Sequence, residues 1–111
     1  MALQIFAFPK CKASARAQRF FKERRMDFQL IDLSRKAMSR GELETVARAV
    51  GADKLIDASS PAYEARGLAW MDYDPVEEVL RDMKLLQTPV VRDGNRACVG
   101  DDPASWKTFL S

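Results

Sequence analysis

The sequence predicts an α/β fold in which helices pack against a mixed four-stranded sheet. Three observations lead to this prediction: a β-α-β pattern at the N-terminus, a β-hairpin pattern near the C-terminus, and repeated helix-start signals between them. The chain has 111 residues, 47% of them apolar, which suits one hydrophobic core rather than two domains. We therefore expect one domain over residues 1–111, with a helical insertion at about 39–84 between the two halves of the sheet.

The N-terminal segment predicts the first half of the sheet. Residues 3–8 form an apolar run that ends at Pro9, as in a buried strand. Apolar side chains recur at helical spacing over residues 13–25, and residues 28–31 predict a second strand. Because one helix connects the two strands, they should lie parallel, with a right-handed crossover.

Helix-start signals define the insertion. Ser39 and Glu42 have the spacing of a capping box, and the helix they start is expected to run to about Val50 and end at Gly51. A turn or short irregular stretch is expected at 54–60.

Two shorter helices should follow in the insertion. Ser60-Pro61 and Asp74-Pro75 each place a capping residue before a proline at the first helical position. The helix that starts at Pro75 is expected to end near Lys84.

The C-terminal segment predicts the second half of the sheet. Residues 89–92 and 96–99 are short apolar stretches typical of strands, and Asp93-Gly94 between them favours a hairpin turn. Asp102-Pro103 then starts a last helix over about 104–110. A parallel pair joined to an antiparallel hairpin gives a mixed sheet.

The cysteine and histidine content limits the chemistry. The chain has two cysteines, Cys11 and Cys98, and no histidine. Two cysteines are too few for a disulfide framework, and without histidine they do not form an ordinary zinc site. Histidine-dependent catalytic triads are excluded as well. A nucleophile in this chain must therefore be activated by something other than an imidazole.

Cys11 is the candidate nucleophile, because it stands where the first strand passes into the first helix. Amide N–H groups in a first helical turn lack intrahelical partners and favour a thiolate. We expect Lys10, Lys12 and Arg16 to add positive charge, and Ser14 to donate a hydrogen bond to the sulfur or to cap the helix. An inert buried cysteine is the alternative.

Cys98 and the large aromatic side chains are interpreted as structural. Cys98 falls within a predicted strand, where a small buried side chain is favoured over a resolving thiol. Trp70, Trp106 and Tyr63 are expected to pack in the core or between helices rather than to form a stacking surface.

The charge distribution argues against a nucleic-acid binder. Residues 10–25 contain seven Lys or Arg and one Glu, yet the whole chain has a net charge of only +2. Such a run is most often the solvated face of a helix, so no direct nucleic-acid partner is expected. No signal-peptide pattern and no apolar stretch long enough for a membrane span is present, so a cytoplasmic location is the expectation.

Four segments together resemble a known family. They are Pro9-Lys10-Cys11-x-x-Ser14-x-Arg16, residues 61–68, Thr88-Pro89 with the hairpin that follows, and residues 99–106. In order and spacing, they resemble the arsenate reductase (ArsC/Spx-like) family, a branch of the thioredoxin fold, over nearly the whole chain. The resemblance therefore implies a thioredoxin-like fold.

The resemblance also implies roles for individual residues. Cys11 takes the place of the family's catalytic cysteine, which attacks an oxyanion or forms a mixed disulfide in a glutathione- or glutaredoxin-coupled cycle. Pro89 takes the place of a cis-proline beside the cysteine loop, although a proline opening a strand is usually trans. Thr88 would help to bind a thiol peptide such as glutathione through main-chain pairing.

Departures from the family pattern favour some functions over others. The three arginines that clamp an oxyanion are replaced by Asp57, Thr88 and Val99, so only Arg66, Arg92 or Arg96 is left to compensate. Ser14 replaces the second cysteine of the Cys-x-x-Cys typical of Spx-type regulators. The Cys-x-x-Ser arrangement is similar to that of monothiol glutaredoxin-like members and of the YffB-like branch.

Three functions follow from these comparisons, in order of preference. The first is a thiol-dependent oxidoreductase that uses Cys11, with glutathione as co-substrate or a glutaredoxin- or thioredoxin-type thiol donor, and without a tightly bound cofactor or metal. The second is a non-catalytic Spx-like regulatory or binding module with a protein partner. The third is an arsenate reductase with a rearranged clamp.

Overall fold

A four-stranded mixed sheet organises the computed structural model, which describes residues 3–110. The strand order is β2-β1-β3-β4, with β1 at Leu3–Ala7, β2 at Phe28–Asp32, β3 at Val90–Asp93 and β4 at Arg96–Val99. β1 pairs parallel with β2 and antiparallel with β3, and β3 pairs antiparallel with β4. The predicted mixed sheet is confirmed.

Helix α1, at Lys12–Glu23, connects the two parallel strands. It is shorter at its C-terminus than the predicted helix over residues 13–25. Arg25 has φ of 57°, and its left-handed backbone turns the chain out of the helix toward β2. An exposed arginine is as common inside a helix as just after one. The identity of residue 25 therefore does not indicate that the helix ends before it.

The insertion between β2 and β3 is helical, as predicted. It contains α2 (Arg40–Val50), α3 (Pro61–Ala65) and α4 (Pro75–Arg81), separated by short 3₁₀ turns. The capping box is formed: the Ser39 hydroxyl accepts from the Glu42 N–H, and the Glu42 carboxylate accepts from the Ser39 N–H. The expected turn region at 54–60 is present: a 3₁₀ turn at Ala52–Leu55 follows α2, and a further turn follows it before α3. Helix α4 ends at Arg81, before the expected Lys84.

The hairpin and the last helix also differ slightly from prediction. Asp93 and Arg96 are a paired position of the ladder, so the two-residue turn is Gly94-Asn95 rather than Asp93-Gly94. Gly94 has φ of 62°, which a glycine adopts without strain. Helix α5 covers Pro103–Trp106 and continues as a 3₁₀ turn at Lys107–Leu110.

Two hydrophobic clusters cover the two faces of the sheet. Consecutive side chains of a strand point to opposite faces, and the clusters separate accordingly. Phe6 and Val90 pack with residues of α2 and α4, whereas Ile5 and Val91 pack with residues of α1 and α5. Phe21 of α1 is fully buried in the second cluster. Its packing holds α1, and hence the start of that helix, against the sheet.

One predicted core residue is on the surface. Trp106 is 2% exposed and Tyr63 packs against the first cluster, but Trp70 is 91% exposed. Trp70 ends a 3₁₀ turn after Gly67, and Leu68 is the apolar side chain of that turn that reaches the core. The prediction for Trp70 was therefore wrong. None of the helices within residues 3–110 is long and apolar enough to cross a bilayer.

Candidate functional site

Cys11 occupies the N-cap position of α1, directly after β1 and the turn at Pro9-Lys10. Its extended backbone, with φ of −75° and ψ of 113°, aims the side chain along the helix start. The Ser14 N–H donates to the Cys11 sulfur at 3.4 Å. The Ser14 amide has no partner within the helix, because it lies in the first turn, and the sulfur serves as its acceptor. The thiol is also partly exposed to solvent. This geometry differs from that of an inert core cysteine.

Thr88 brings the β3 side of the sheet to Cys11. Its hydroxyl oxygen lies 3.3 Å from the Cys11 sulfur, across 77 positions of sequence. The Thr88-Pro89 bond is cis, as the family resemblance implies and contrary to the usual trans form. A sulfur anion at this place would accept hydrogen bonds from both the Ser14 amide and the Thr88 hydroxyl. The structure thus joins Cys11, Ser14 and Thr88 in one cluster.

Replacing the Thr88 hydroxyl by a methyl group tests its contribution. We expect Thr88→Val to lower the rate of Cys11 alkylation by iodoacetamide at neutral pH about fivefold, because one hydrogen bond contributes about 1 kcal/mol. Thr88→Ser keeps the hydroxyl and should keep the rate. Equal rates for the valine variant and the wild type would show that the hydroxyl does not stabilise the reactive sulfur.

Ser14 contacts the sulfur through its backbone rather than its hydroxyl. Its side chain is 2% exposed, and its oxygen accepts a hydrogen bond from the Gln18 amide at 3.1 Å. The helix is capped by Cys11 itself, whose sulfur accepts from the Ser14 amide. Ser14 stands where a Cys-x-x-Cys motif would have its second cysteine. Its buried hydroxyl oxygen has Gln18 as hydrogen-bond partner.

The three basic residues near Cys11 are placed differently from one another. Lys10 and Lys12 are solvent-exposed. Arg16 forms an ion pair with Asp101, at the loop before α5. The hydrogen bond that Arg16 donates to the Asp101 carboxylate raises the pKa of the Arg16 guanidinium, and the Cys11 side chain contributes a smaller electrostatic effect in the same direction. Arg16 therefore remains charged, while part of its field is neutralised by Asp101.

Asp101 and Gln18 are site residues that the sequence reasoning missed. Asp101 meets Arg16 across 85 positions, and Gln18 resembles any polar helix residue. The only sequence signal for Asp101 was its place within the family-like segment 99–106. Neither contact follows from local spacing.

The three positions that the family resemblance matches to clamping arginines hold no cation. Asp57 accepts hydrogen bonds from the amide and the hydroxyl of Ser59 and stabilises a turn. Thr88 contacts Cys11, and Val99 pairs with Val90 at the end of β4. A carboxylate and two uncharged side chains give no bidentate donor for an oxyanion.

Arg66, Arg92 and Arg96, the arginines left to compensate for the missing clamp, are paired elsewhere in the fold. Arg66 donates two hydrogen bonds to Glu78, at 3.1 and 2.5 Å. Arg92 donates to Gln4, and Arg96 donates to Asp93 and to a carbonyl of the last 3₁₀ turn. Each guanidinium already has hydrogen-bond partners in the protein. This pairing disfavours an oxyanion clamp built from these three arginines.

A groove of about 310 Å³ opens between the start of α1 and the edge strand β2. Its walls are partly apolar, and it is lined by Ala7, Phe8, Pro9, Ser14, Gln18, Leu30 and Asp32. Leu30 is 49% exposed and gives the groove an apolar surface on the β2 side. Pro9 and Ser14 of this lining flank Cys11 in sequence, but Cys11 itself does not line the groove.

Cys98 is a buried strand residue, as predicted. It is 6% exposed and packs in the cluster with Val91 and Trp106. Burial raises the pKa of the Cys98 thiol to about 12, and the Asp102 carboxylate adds to the shift. The neutral thiol is favoured in the folded protein, and the thiol is a poor nucleophile there.

The raised pKa of Cys98 predicts a pH dependence of stability. In the unfolded chain this thiol ionises near pH 9, whereas in the folded protein it stays protonated up to about pH 12. The unfolded state then binds fewer protons between these values, so the free energy of unfolding falls as pH rises through that window. We expect Cys98→Ala to flatten the decline in urea midpoint measured from pH 8 to pH 10.5. A decline of unchanged slope would contradict the assignment.

Solved structures share this fold. An ArsC-family-related protein of Bacteroides fragilis superposes with a TM-score of 0.88 at 18% identity, over 98% of each chain. The YffB protein superposes with a TM-score of 0.86 at 17% identity, over 99% of this chain and 100% of its own. No protein-family profile and no curated protein matches the sequence. The resemblance to ArsC-related proteins is thereby confirmed in the fold.

A more distant structure confirms the thioredoxin-like class. NrdH-redoxin of Escherichia coli, a glutaredoxin-like protein, superposes with a TM-score of 0.53 at 19% identity, over 98% of this chain and 95% of its own. The predicted thioredoxin-like sheet is therefore correct.

Proposed function

From the fold that the chain shares with ArsC-related and glutaredoxin-like proteins, we propose that it is a monothiol oxidoreductase with Cys11 as nucleophile. One observation supports this most strongly: the Cys11 sulfur is partly exposed and lies within 3.4 Å of the Ser14 amide and the Thr88 hydroxyl. A thiolate there would accept hydrogen bonds from both groups, and the thiolate is the form that attacks a disulfide.

The reaction is a thiol–disulfide exchange in two steps. The Cys11 thiolate attacks one sulfur of a substrate disulfide, a Cys11 mixed disulfide forms, and the other sulfur leaves as a thiolate. Because Cys98 is buried and neutral, the second thiol comes from outside the chain. Glutathione then attacks the mixed disulfide and releases the Cys11 thiolate. With a glutathionylated substrate, the products are the free substrate thiol and oxidised glutathione.

The surroundings of Cys11 support a thiol peptide as co-substrate. The groove between the start of α1 and β2, lined in part by Pro9 and Ser14, offers apolar walls from Phe8 and Leu30 and polar atoms from Gln18 and Asp32. The backbone at Thr88 would pair with an extended peptide. A glutathione, glutaredoxin or thioredoxin-type donor is therefore the proposed reductant, and the reaction involves no tightly bound cofactor.

The experiment follows a glutathionylated peptide in the presence of reduced glutathione. We expect the full chain to release the peptide thiol and to form one oxidised glutathione for each peptide. Mass spectrometry should trap glutathione on Cys11 when the reduced glutathione is left out. Release at the uncatalysed rate, with no adduct on Cys11, would refute the proposal.

A binding module is the second candidate, because Trp70 and its neighbour Met71 expose apolar surface at the insertion. Such residues are common in protein interfaces. In that case the chain would bind a protein partner whether or not Cys11 is present, and Trp70→Ala would abolish binding. The absence of a cationic clamp ranks arsenate reduction below both, and arsenate turnover that Cys11→Ser abolishes would reverse that ranking.

A further inference from the structure

Helix α1 presents a row of basic side chains that begins next to Cys11. Lys12, Arg16, Arg19 and Lys22 lie on its solvent-exposed face, opposite the buried Ala17 and Phe21. We call these four residues the α1 basic stripe. From Lys12 to Lys22 the stripe is about 15 Å long at 1.5 Å per residue.

The α1 basic stripe is poorly neutralised by the rest of the chain. Arg16 pairs with Asp101, but within residues 3–110 neither Arg19 nor Lys22 has a hydrogen bond or ion pair from its side chain. The segment 10–25 carries a net charge of +6 in a chain of net charge +2, so the remaining residues carry −4. Helix α1 itself carries the four cations of the stripe and one exposed carboxylate, Glu23, for a net charge of +3, and Lys10, Arg24 and Arg25 flank it. Positive charge is thus concentrated on this helix and at its ends.

Like charges at this spacing oppose helix formation. Pairs three or four residues apart, such as Lys12 with Arg16 and Arg19 with Lys22, repel one another. Packing of Phe20, Phe21 and Ala17 against the sheet holds the helix in spite of that repulsion. A partner with carboxylates along the stripe would relieve it.

We propose that the α1 basic stripe binds an acidic polypeptide segment next to the disulfide that Cys11 attacks. This inference rests on the proposed function, because it places the substrate relative to Cys11. The substrate of the proposed exchange carries a disulfide, and charge complementarity along about 15 Å of a cationic helix calls for a polypeptide with acidic side chains next to that disulfide. Electrostatic attraction of this kind acts mainly on the association rate and weakens as salt is added.

The test compares two glutathionylated peptides of equal length, one with four glutamates around the cysteine and one with four lysines. At about 0.01 M ionic strength we expect the second-order rate constant to be roughly tenfold higher for the acidic peptide, within the usual range of electrostatic steering. The ratio should approach one in 1 M salt, where the Debye length is only about 3 Å.

Charge-reversal variants at two sites test whether the preference for the acidic peptide comes from the α1 basic stripe. Arg19→Glu with Lys22→Glu should remove the preference for the acidic peptide, and neither residue belongs to the Cys11 cluster. Arg48→Glu with Lys54→Glu changes the net charge equally on exposed residues of α2 and the 3₁₀ turn after it, and should keep the preference. Circular dichroism checks that both variants are folded, and glutamine replacements serve if the glutamates unfold the helix.

A neutral small disulfide separates this inference from the proposed function. If Cys11 exchanges with it but the two peptides react equally, the α1 basic stripe has no role in substrate binding. If Cys11 does not exchange with it, the proposed function itself is wrong. A third outcome would also overturn the inference. In that case the wild type binds duplex DNA, only the Arg19→Glu, Lys22→Glu variant loses this binding, and neither peptide is preferred. The α1 basic stripe would then be a nucleic-acid-binding surface.

Discussion

Cys11→Ser should reduce the exchange of a glutathionylated peptide roughly 1,000-fold, to the uncatalysed background. The serine hydroxyl keeps the shape of the side chain and the hydrogen bonds to the Ser14 amide and Thr88, but it is not ionised at neutral pH and forms no disulfide. A loss of that size corresponds to about 4 kcal/mol of transition-state stabilisation. The measurement is kcat/KM for peptide release with reduced glutathione in excess.

Cys98→Ser is the matched control for that variant. Cys98 is buried and its pKa is raised, so it should not take part in the exchange. We expect the same kcat/KM as in the wild type, with lower stability because a hydroxyl replaces a sulfur in the core. A large loss of turnover in a folded Cys98→Ser protein would show that Cys98 resolves the mixed disulfide. The single-cysteine mechanism would then be wrong.

Phe21→Ala should destabilise the fold by about 3–5 kcal/mol, a large share of the usual 5–15 kcal/mol. Phe21 is fully buried, and its ring makes edge contacts with Phe20 and Phe109 at centroid distances of 5.1 and 6.4 Å. Removing it leaves a cavity between α1 and the C-terminal 3₁₀ turn. The free energy of unfolding, measured in urea by circular dichroism, gives the size of the effect.

Trp70→Ala is the control, since it deletes an even larger aromatic side chain. Because Trp70 is 91% exposed, we expect its loss to change the free energy of unfolding by no more than about 0.5 kcal/mol. A destabilisation comparable with that of Phe21→Ala would mean that Trp70 packs in the core after all.

The two tryptophans show that a local sequence pattern does not predict whether one particular side chain is buried. Both lie near helix signals and both were expected to be buried, but only Trp106 is. The two side chains are equally hydrophobic. Their burial differs because the turn next to each one decides which side chain points to the core. In the turn after Gly67, Leu68 takes the core position and Trp70 is left outside. Burial of one particular residue depends on packing, which local spacing does not encode.

The candidate site shows a similar division. The position of Cys11 at the start of a helix follows from the strand that ends at Pro9 and the helical spacing after it. Its N-cap role was not predicted, because Ser14 was the residue considered as the cap. The hydroxyl of Thr88 reaches the same sulfur from 77 positions away, and Asp101 reaches Arg16 from 85. Even the contact of Ser14 was only half predicted, because its amide rather than its hydroxyl meets the sulfur.

The sequence by itself determined the order of strands and helices, the capped helix starts and the residue that carries the thiol. These features depend on interactions between residues a few positions apart, such as periodic apolar side chains, capping boxes and proline at the first helical turn. Only the tertiary structure decided which groups surround the Cys11 sulfur and which arginines are already paired. Those outcomes depend on contacts between distant segments, which exist only once the two faces of the sheet are packed.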